Sequence, residues 1–249
     1  MVRRVAAGAA CALALAGAPM AAAQEKSAVK PGFTLAPGTT KILLFRPRIR
    51  VGAQSTGGMF EPNADWTAQA RDNLQRALAA TQKDLGNQVI EATEPAGPAA
   101  ERLANYQSLF SVVAQSVIEY QFFKGNRLPT KKRKGEFAWT LGPDVAELGR
   151  GTGADYALFL WTDDAYGSTG RKVLQVFAAM ARVPVQSGAH KGYAGLVDLK
   201  TGDLVWLNAD KQMGGDVRTP EGAQKRMGQL LEDFPGSVAP APMPAAASK

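Results

Sequence analysis

The chain has 249 residues, one cysteine, one histidine and a formal net charge of +7. One cysteine excludes an internal disulfide and a cysteine-built zinc site, and one histidine excludes a metal centre made of several imidazoles. The length suits one large domain or two small ones, and the basic balance suits anionic partners: lipid headgroups, acidic polymers or an acidic protein.

Residues 1–23 read as a secretory signal peptide. Arg3 and Arg4 form a positive start, Val5 to Met20 is apolar and small, and Ala21-Ala22-Ala23 meets the small-x-small rule before Gln24-Glu25-Lys26 turns polar. Cleavage is expected between Ala23 and Gln24. It removes Cys11 and leaves a thiol-free protein in the periplasm or at the outer-membrane periphery. That address puts ATP-driven cytosolic chemistry and nucleic acid out of reach. Retention of the apolar run as a membrane anchor is one alternative; lipidation at Cys11 is another, but only Val5 to Ala10 precede it as apolar residues, short for the apolar core of a signal.

Residues 24–40 are expected to form a flexible lead, with Pro31-Gly32 and Pro37-Gly38 as turns. Lys41 to Phe45 is a short apolar run fit for a buried strand. Arg46, Arg48 and Arg50 then alternate with Pro47, Ile49 and Val51, which predicts an exposed basic edge or a break at Pro47. Gly52 to Asn63 reads as a loop. Asn63 or Asp65 caps a helix carrying Trp66, Ala70, Leu74, Ala77, Leu78 and Leu85, stopped by Gly86-Asn87. Gln88 to Ala92 is a strand candidate, and Ala99 to Phe123 a longer helix. Lys124 to Gly135 is a hydrophilic loop containing Lys131-Lys132-Arg133-Lys134, and Leu141 to Leu148 a short helix.

The second half reads as strand-rich. Asp155 to Thr162 is a buried strand, Gly167 to Gly170 a turn, and Lys172 to Val185 alternates loosely enough to suggest a strand. His190 to Asp198 and Leu204 to Asn208 flank the turn Lys200-Thr201-Gly202-Asp203 as a hairpin. Thr219-Pro220 opens a last helix with Met227, Leu230, Leu231 and Phe234 facing inward. Residues 235–249 form a Pro/Ala-rich tail expected to be disordered. The order predicts a single α/β domain over 41–234: a mixed sheet, antiparallel in its later strands, with helices packed on it.

Three patterns carry a resemblance. One is the opening apolar strand and long helix with Leu74 and Leu78. The second is Leu148-Gly-Arg-Gly-Thr-Gly-Ala-Asp155-Tyr-Ala-Leu-Phe-Leu160. The third is the hairpin Gly195-Leu-Val-Asp198-Leu-Lys-Thr201-Gly202-Asp-Leu-Val-Trp206. Together they resemble a superfamily of bacterial envelope proteins that includes curli-secretion lipoproteins, penicillin-binding-protein activator lipoproteins and the TolB amino-terminal domain. The resemblance implies assembly, scaffolding or regulation through an envelope protein partner or self-association, and it transfers no catalytic residue and no cofactor.

The residues offer few alternatives. Lys131, Lys132, Arg133 and Lys134, with Arg46, Arg48 and Arg50, are the candidates for docking a partner or an anionic lipid or polymer surface. Asp163-Asp164, at the expected end of a strand, and His190 are the candidates for a periplasmic hydrolase, weighed against acids closing a strand and a surface histidine. Asp144 and Glu147 suit a helix start. Gly149-Arg-Gly151-Thr-Gly153 follows a helix and opens a strand, the reverse of a dinucleotide loop. Trp66, Trp139, Trp161 and Trp206 read mainly as packing residues. A small-ligand carrier is the third reading.

Overall fold

The computed structural model describes residues 25–122, 136–186 and 188–237. Residues 1–23, read above as a signal peptide and including Cys11, the expected cleavage point Ala23–Gln24, Lys131 to Lys134 and the residues from 238 onward lie outside the described residues.

The strands are β1 (Glu25–Val29), β2 (Lys41–Leu44), β3 (Arg48–Gln54), β4 (Phe60–Pro62), β5 (Gln88–Glu91), β6 (Trp139–Thr140), β7 (Tyr156–Gly167), β8 (Ala189–Asp198) and β9 (Asp203–Asp210); the helices are α1 (Ala64–Thr81), α2 (Pro98–Val117), α3 (Thr169–Met180) and α4 (Pro220–Leu230). They build one mixed sheet in the order β1-β9-β8-β7-β2-β5. β2 lies parallel to both β5 and β7, and β7, β8, β9 and β1 form an antiparallel run. This is the mixed α/β architecture that the element order predicts.

After the exposed Lys41, β2 is apolar on both sides of its pleat, Ile42 to Leu44, because helices cover both faces of the sheet. Ile42 and Leu44 enter a core with Leu74 and Leu78 of α1 and Met227 and Leu230 of α4. Leu43 and Phe45 enter a second core with Phe110, Ala114 and Val117 of α2. The sheet is therefore the middle of three layers. β7 serves both cores: Leu158 and Leu160 face one, Ala157 and Phe159 the other. Gly195 of β8 lets α2 seat closely, since a Cβ there would stand 2.5 Å from the Phe110 ring.

Local signals set several boundaries. The Asn63 side chain accepts from the Trp66 N–H and starts α1, and Gly86, at φ 68°, stops the 3-10 turn that follows it. Thr219 caps α4 by accepting from the Gly222 N–H. Asp198 accepts from the Lys200 and Thr201 N–H groups and shapes the β8–β9 turn.

Four expectations are corrected. The lead over 24–40 is not irregular throughout: β1 pairs antiparallel with β9, and Leu35 is buried in the core. Its polar sequence hides a strand held by backbone bonds to a neighbour that the local pattern cannot show. The Gly52–Asn63 loop contains the end of β3 and all of β4, paired with each other. The segment read as a strand at 172–185 is mainly α3. Val173, Val176, Phe177 and Met180 share one helical face, and Ser168 caps the helix by accepting from the Arg171 N–H. Finally, β7 runs on through Asp163 and Asp164 to Gly167, so those acids sit within a strand and not at its end.

Candidate functional site

Because β7 continues, its pleat sends Asp163 and Asp164 to opposite faces of the sheet. Asp164 is fully buried against the side of α4, where the equally buried Arg226 meets it. Arg226 Nη1 donates to Asp164 Oδ2 at 2.7 Å and Nη2 to Asp164 Oδ1 at 2.8 Å. The remaining guanidinium donors reach Thr162 Oγ1 and the carbonyls of Gly214 and Gly215. The Thr162 hydroxyl donates a hydrogen bond to Asp164 Oδ2, and His190 Nδ1 stands 2.8 Å from Asp164 Oδ1. Burial alone pushes the Asp164 pKa up; the bonds from His190, Arg226 and Thr162 outweigh it and hold the group below its ordinary value.

The His190 ring, on a side chain 28% exposed, lies 4.8 Å from the Tyr166 ring. Arg218 stacks on Tyr166 at 3.8 Å and on Trp66 at 4.5 Å, and forks onto Asp216. That fork holds the Asp216 pKa at about 2, while burial and then the Asp164 charge push Tyr166 up. The assembly ties α4 and the 213–218 loop to the middle of the sheet. Asp164 and His190 are brought together as the hydrolase alternative requires; Asp163 is not. Among the described residues, no three His, Cys, Asp or Glu side chains converge as metal ligands do.

Asp163 instead pairs with Arg50 on the α2 face, Nε to Oδ1 at 3.1 Å and Nη2 to Oδ2 at 2.5 Å, and this carboxylate raises the Arg50 pKa. Pro47 separates β2 from β3, yet both strands lie parallel along β7. Leu44 pairs with Leu158 and Arg48 with Trp161, so the first chain spends one extra residue over this step, a bulge beside the carboxyl ends of β2 and β5. The three arginines consequently do not form a free basic edge. Arg46 pairs with Glu94, and Arg48 stacks on Trp161 at 5.4 Å and donates to Ser108. All three line one open cavity of about 610 Å³ with Arg71 of α1, which sequence reasoning missed. Its spacing on a helix gave no hint that α1 borders the end of β2.

The other feature hidden in the sequence is α3. It has no buried residue; Val176 is 57% exposed, Phe177 64% and Met180 76%, with Val173, Leu174 and Val183 also exposed. A large apolar face left bare on one helix marks an interaction surface. Arg171 moors its first turn, donating to the carbonyls of Gln186 and Thr56. Of the four tryptophans, Trp206 is wholly buried, Trp161 stacks on Tyr193, Trp139 donates to Gln121 and Trp66 carries Arg218. Glu147 pairs with Arg102 and Arg150.

The fold and these surfaces define a mixed α/β protein with an amphipathic helix whose apolar face no described residue buries. No family model and no curated protein matches the chain. Among solved structures, a PelC dodecamer from Paraburkholderia phytofirmans superposes with a TM-score of 0.39 at 14% identity, covering 86% of this chain and 96% of that one. A point variant of the same dodecamer gives 0.37 at 13% identity, covering 86% and 98%. At this level of superposition neither neighbour assigns a fold or a function.

Proposed function

We propose that the protein is a non-enzymatic part of the bacterial envelope, acting in assembly or scaffolding while seated by α3 on an anionic membrane surface. The observation that carries this reading is the bare apolar face of α3. No helix among the described residues is long and apolar enough to cross a membrane. α3 instead has the composition of a helix lying in the interface: an apolar stripe, with Arg171 and Lys172 on the helix and Arg182 just beyond it. No acidic residue occurs between Asp164 and Asp198, so nothing in this segment repels an anionic surface.

The magnitudes are sufficient for reversible binding. Five apolar side chains already about half covered would each contribute on the order of 1 kcal/mol on insertion. Three cations near an anionic surface add about 1 kcal/mol each. The export signal and the envelope-superfamily resemblance point to the periplasm or outer-membrane periphery as the place of action, and intact mass of the purified mature protein tests cleavage after Ala23.

Flotation with phosphatidylglycerol vesicles tests the membrane contact. The unmodified mature chain is expected to float, less so at high salt, and Val176→Asp/Phe177→Asp to stay at the bottom. No flotation of the unmodified chain overturns the reading. Concentration-dependent self-association abolished by the same double variant would move α3 to an interface between copies.

The contact of His190 with Asp164 favours a second reading, a hydrolase. It requires that His190→Ala abolish an activity found in a hydrolase screen while leaving the fold intact. Loss of stability without loss of any activity leaves the pair a structural one.

A further inference from the structure

We infer that the arginine-lined notch beside the carboxyl ends of β2 and β5 is a binding site for a phosphate group. It is separate from α3 and independent of the membrane contact. In open α/β sheets, ligands collect in the crevice outside the carboxyl ends of parallel strands, where flanking helices part. Here the parallel pair is β2 and β5, and α1 and α2 cover opposite faces of the sheet at that point.

The notch exists because a sheet edge is interrupted. β5 accompanies β2 as far as the bond from the Ala92 N–H to the Leu44 carbonyl. β4 joins β3 only from Gly52 onward. Between them, among the described residues, no strand pairs with the second edge of Arg48 to Arg50, and the Val51 backbone beyond it is taken up by the Asn63 N–H and the Thr67 hydroxyl. Arg46, Arg48 and Arg50 project around this gap, Arg71 reaches it from α1, and Gln107 from α2 completes the rim.

Charge selects the ligand. Arg46 is balanced by Glu94 and Arg50 by Asp163. Arg48 is oriented by neutral groups, the Trp161 ring and the Ser108 hydroxyl, and Arg71 makes no ion pair with a described residue. Two guanidinium charges are left uncompensated, matching a phosphate dianion. Guanidinium forks bind phosphate oxygens two at a time, and Arg48 is held by its stacking before any ligand arrives, so little side-chain freedom is lost on binding. The cavity of about 610 Å³ has room for the molecule that carries the group.

The probe is inorganic phosphate, titrated calorimetrically into the mature chain near pH 7.5 at low salt, with chloride at equal ionic strength as the control. One site is expected. Arg71→Gln is expected to weaken it about ten- to a hundredfold, the effect of losing a charged hydrogen-bond partner. Because Arg71 is exposed, its phosphate-free melting temperature stays put. Arg48→Lys keeps the charge, loses the fork and weakens binding too. Competition by glycerol 3-phosphate identifies a free phosphoester as the source. Arg71-dependent binding to phosphatidic acid vesicles that survives Val176→Asp/Phe177→Asp identifies a lipid headgroup. Phosphate binding unchanged in both arginine variants, or no binding beyond that of chloride, overturns the site.

Discussion

Asp164 illustrates how a single carboxylate can be held in a dry interior. Arg226 directs all its donors to named acceptors, and Thr162 and His190 satisfy the remaining oxygen sites. Such a pair adds little over well-packed apolar groups, but removing one half strands the other. Asp164→Asn is therefore expected to cost about 3–5 kcal/mol in urea unfolding. The double variant Asp164→Leu/Arg226→Met is expected to recover much of that loss. Additive losses in the double variant would mean that the two groups do not depend on each other. The pH dependence follows from the same pairings. Asp164 and Asp216 both lie below the ordinary carboxylate value, Asp216 at about 2. Depressed acids contribute stability that is whole above their unfolded value of about 3.9 and fades as pH falls through the folded one. Urea midpoints are thus expected to hold near pH 5.5 and drop steeply between pH 4 and pH 2. Asp216→Asn flattens part of that slope, modestly because its side chain is 37% exposed. Parallel slopes in the two proteins would remove Asp216 from this account.

At the scale of elements, legibility followed burial. β2, β5, α1 and α4 declare themselves because each places apolar residues against a neighbour at its own period. The β8–β9 hairpin declares itself through Asp198 and the Thr201-Gly202 turn. β1 was invisible because Glu-Lys-Ser-Ala-Val has no apolar period; its place depends on five residues of β9 lying alongside. α3 was misread because its apolar residues face neither core formed by the described residues, so the pattern had no packing to match. Arg226 was missed because one charge inside an amphipathic helix looks like a solvated one until Asp164 is seen beneath it. Of the candidate site, Arg46, Arg48 and Arg50 were legible as an alternating basic run, whereas Arg71 arrives only through the crossing of α1. These assignments predict opposite responses to two edits. Deleting residues 24–30 bares the β9 edge, and is expected to lower stability and promote aggregation seen by light scattering. Val176→Asp/Phe177→Asp alters only exposed positions and is expected to shift stability by no more than about 0.5 kcal/mol. A deletion as silent as that double variant would contradict the pairing of β1.

For the molecule as a whole, one sheet joins two hydrophobic cores, and β7 is the strand they share. Leu158 is fully buried among residues of the α1 and α4 side, while its neighbour Phe159 is buried beneath α2 and stacks on Phe110 at 4.9 Å. Neither layer can dissolve alone without stripping one face of β7, and the strand cannot keep its pairing to β2 and β8 with that face in water. The two cores should therefore melt together although separate helices build them. Leu158→Ala and Phe159→Ala are each expected to cost about 2–5 kcal/mol. Each should lower one calorimetric transition whose van't Hoff and calorimetric enthalpies agree, the signature of all-or-none unfolding. If Phe159→Ala instead split the endotherm, leaving a second transition at the unmodified temperature, the α2 layer would be an independent unit. The single-domain reading of the sheet would then fail at β7.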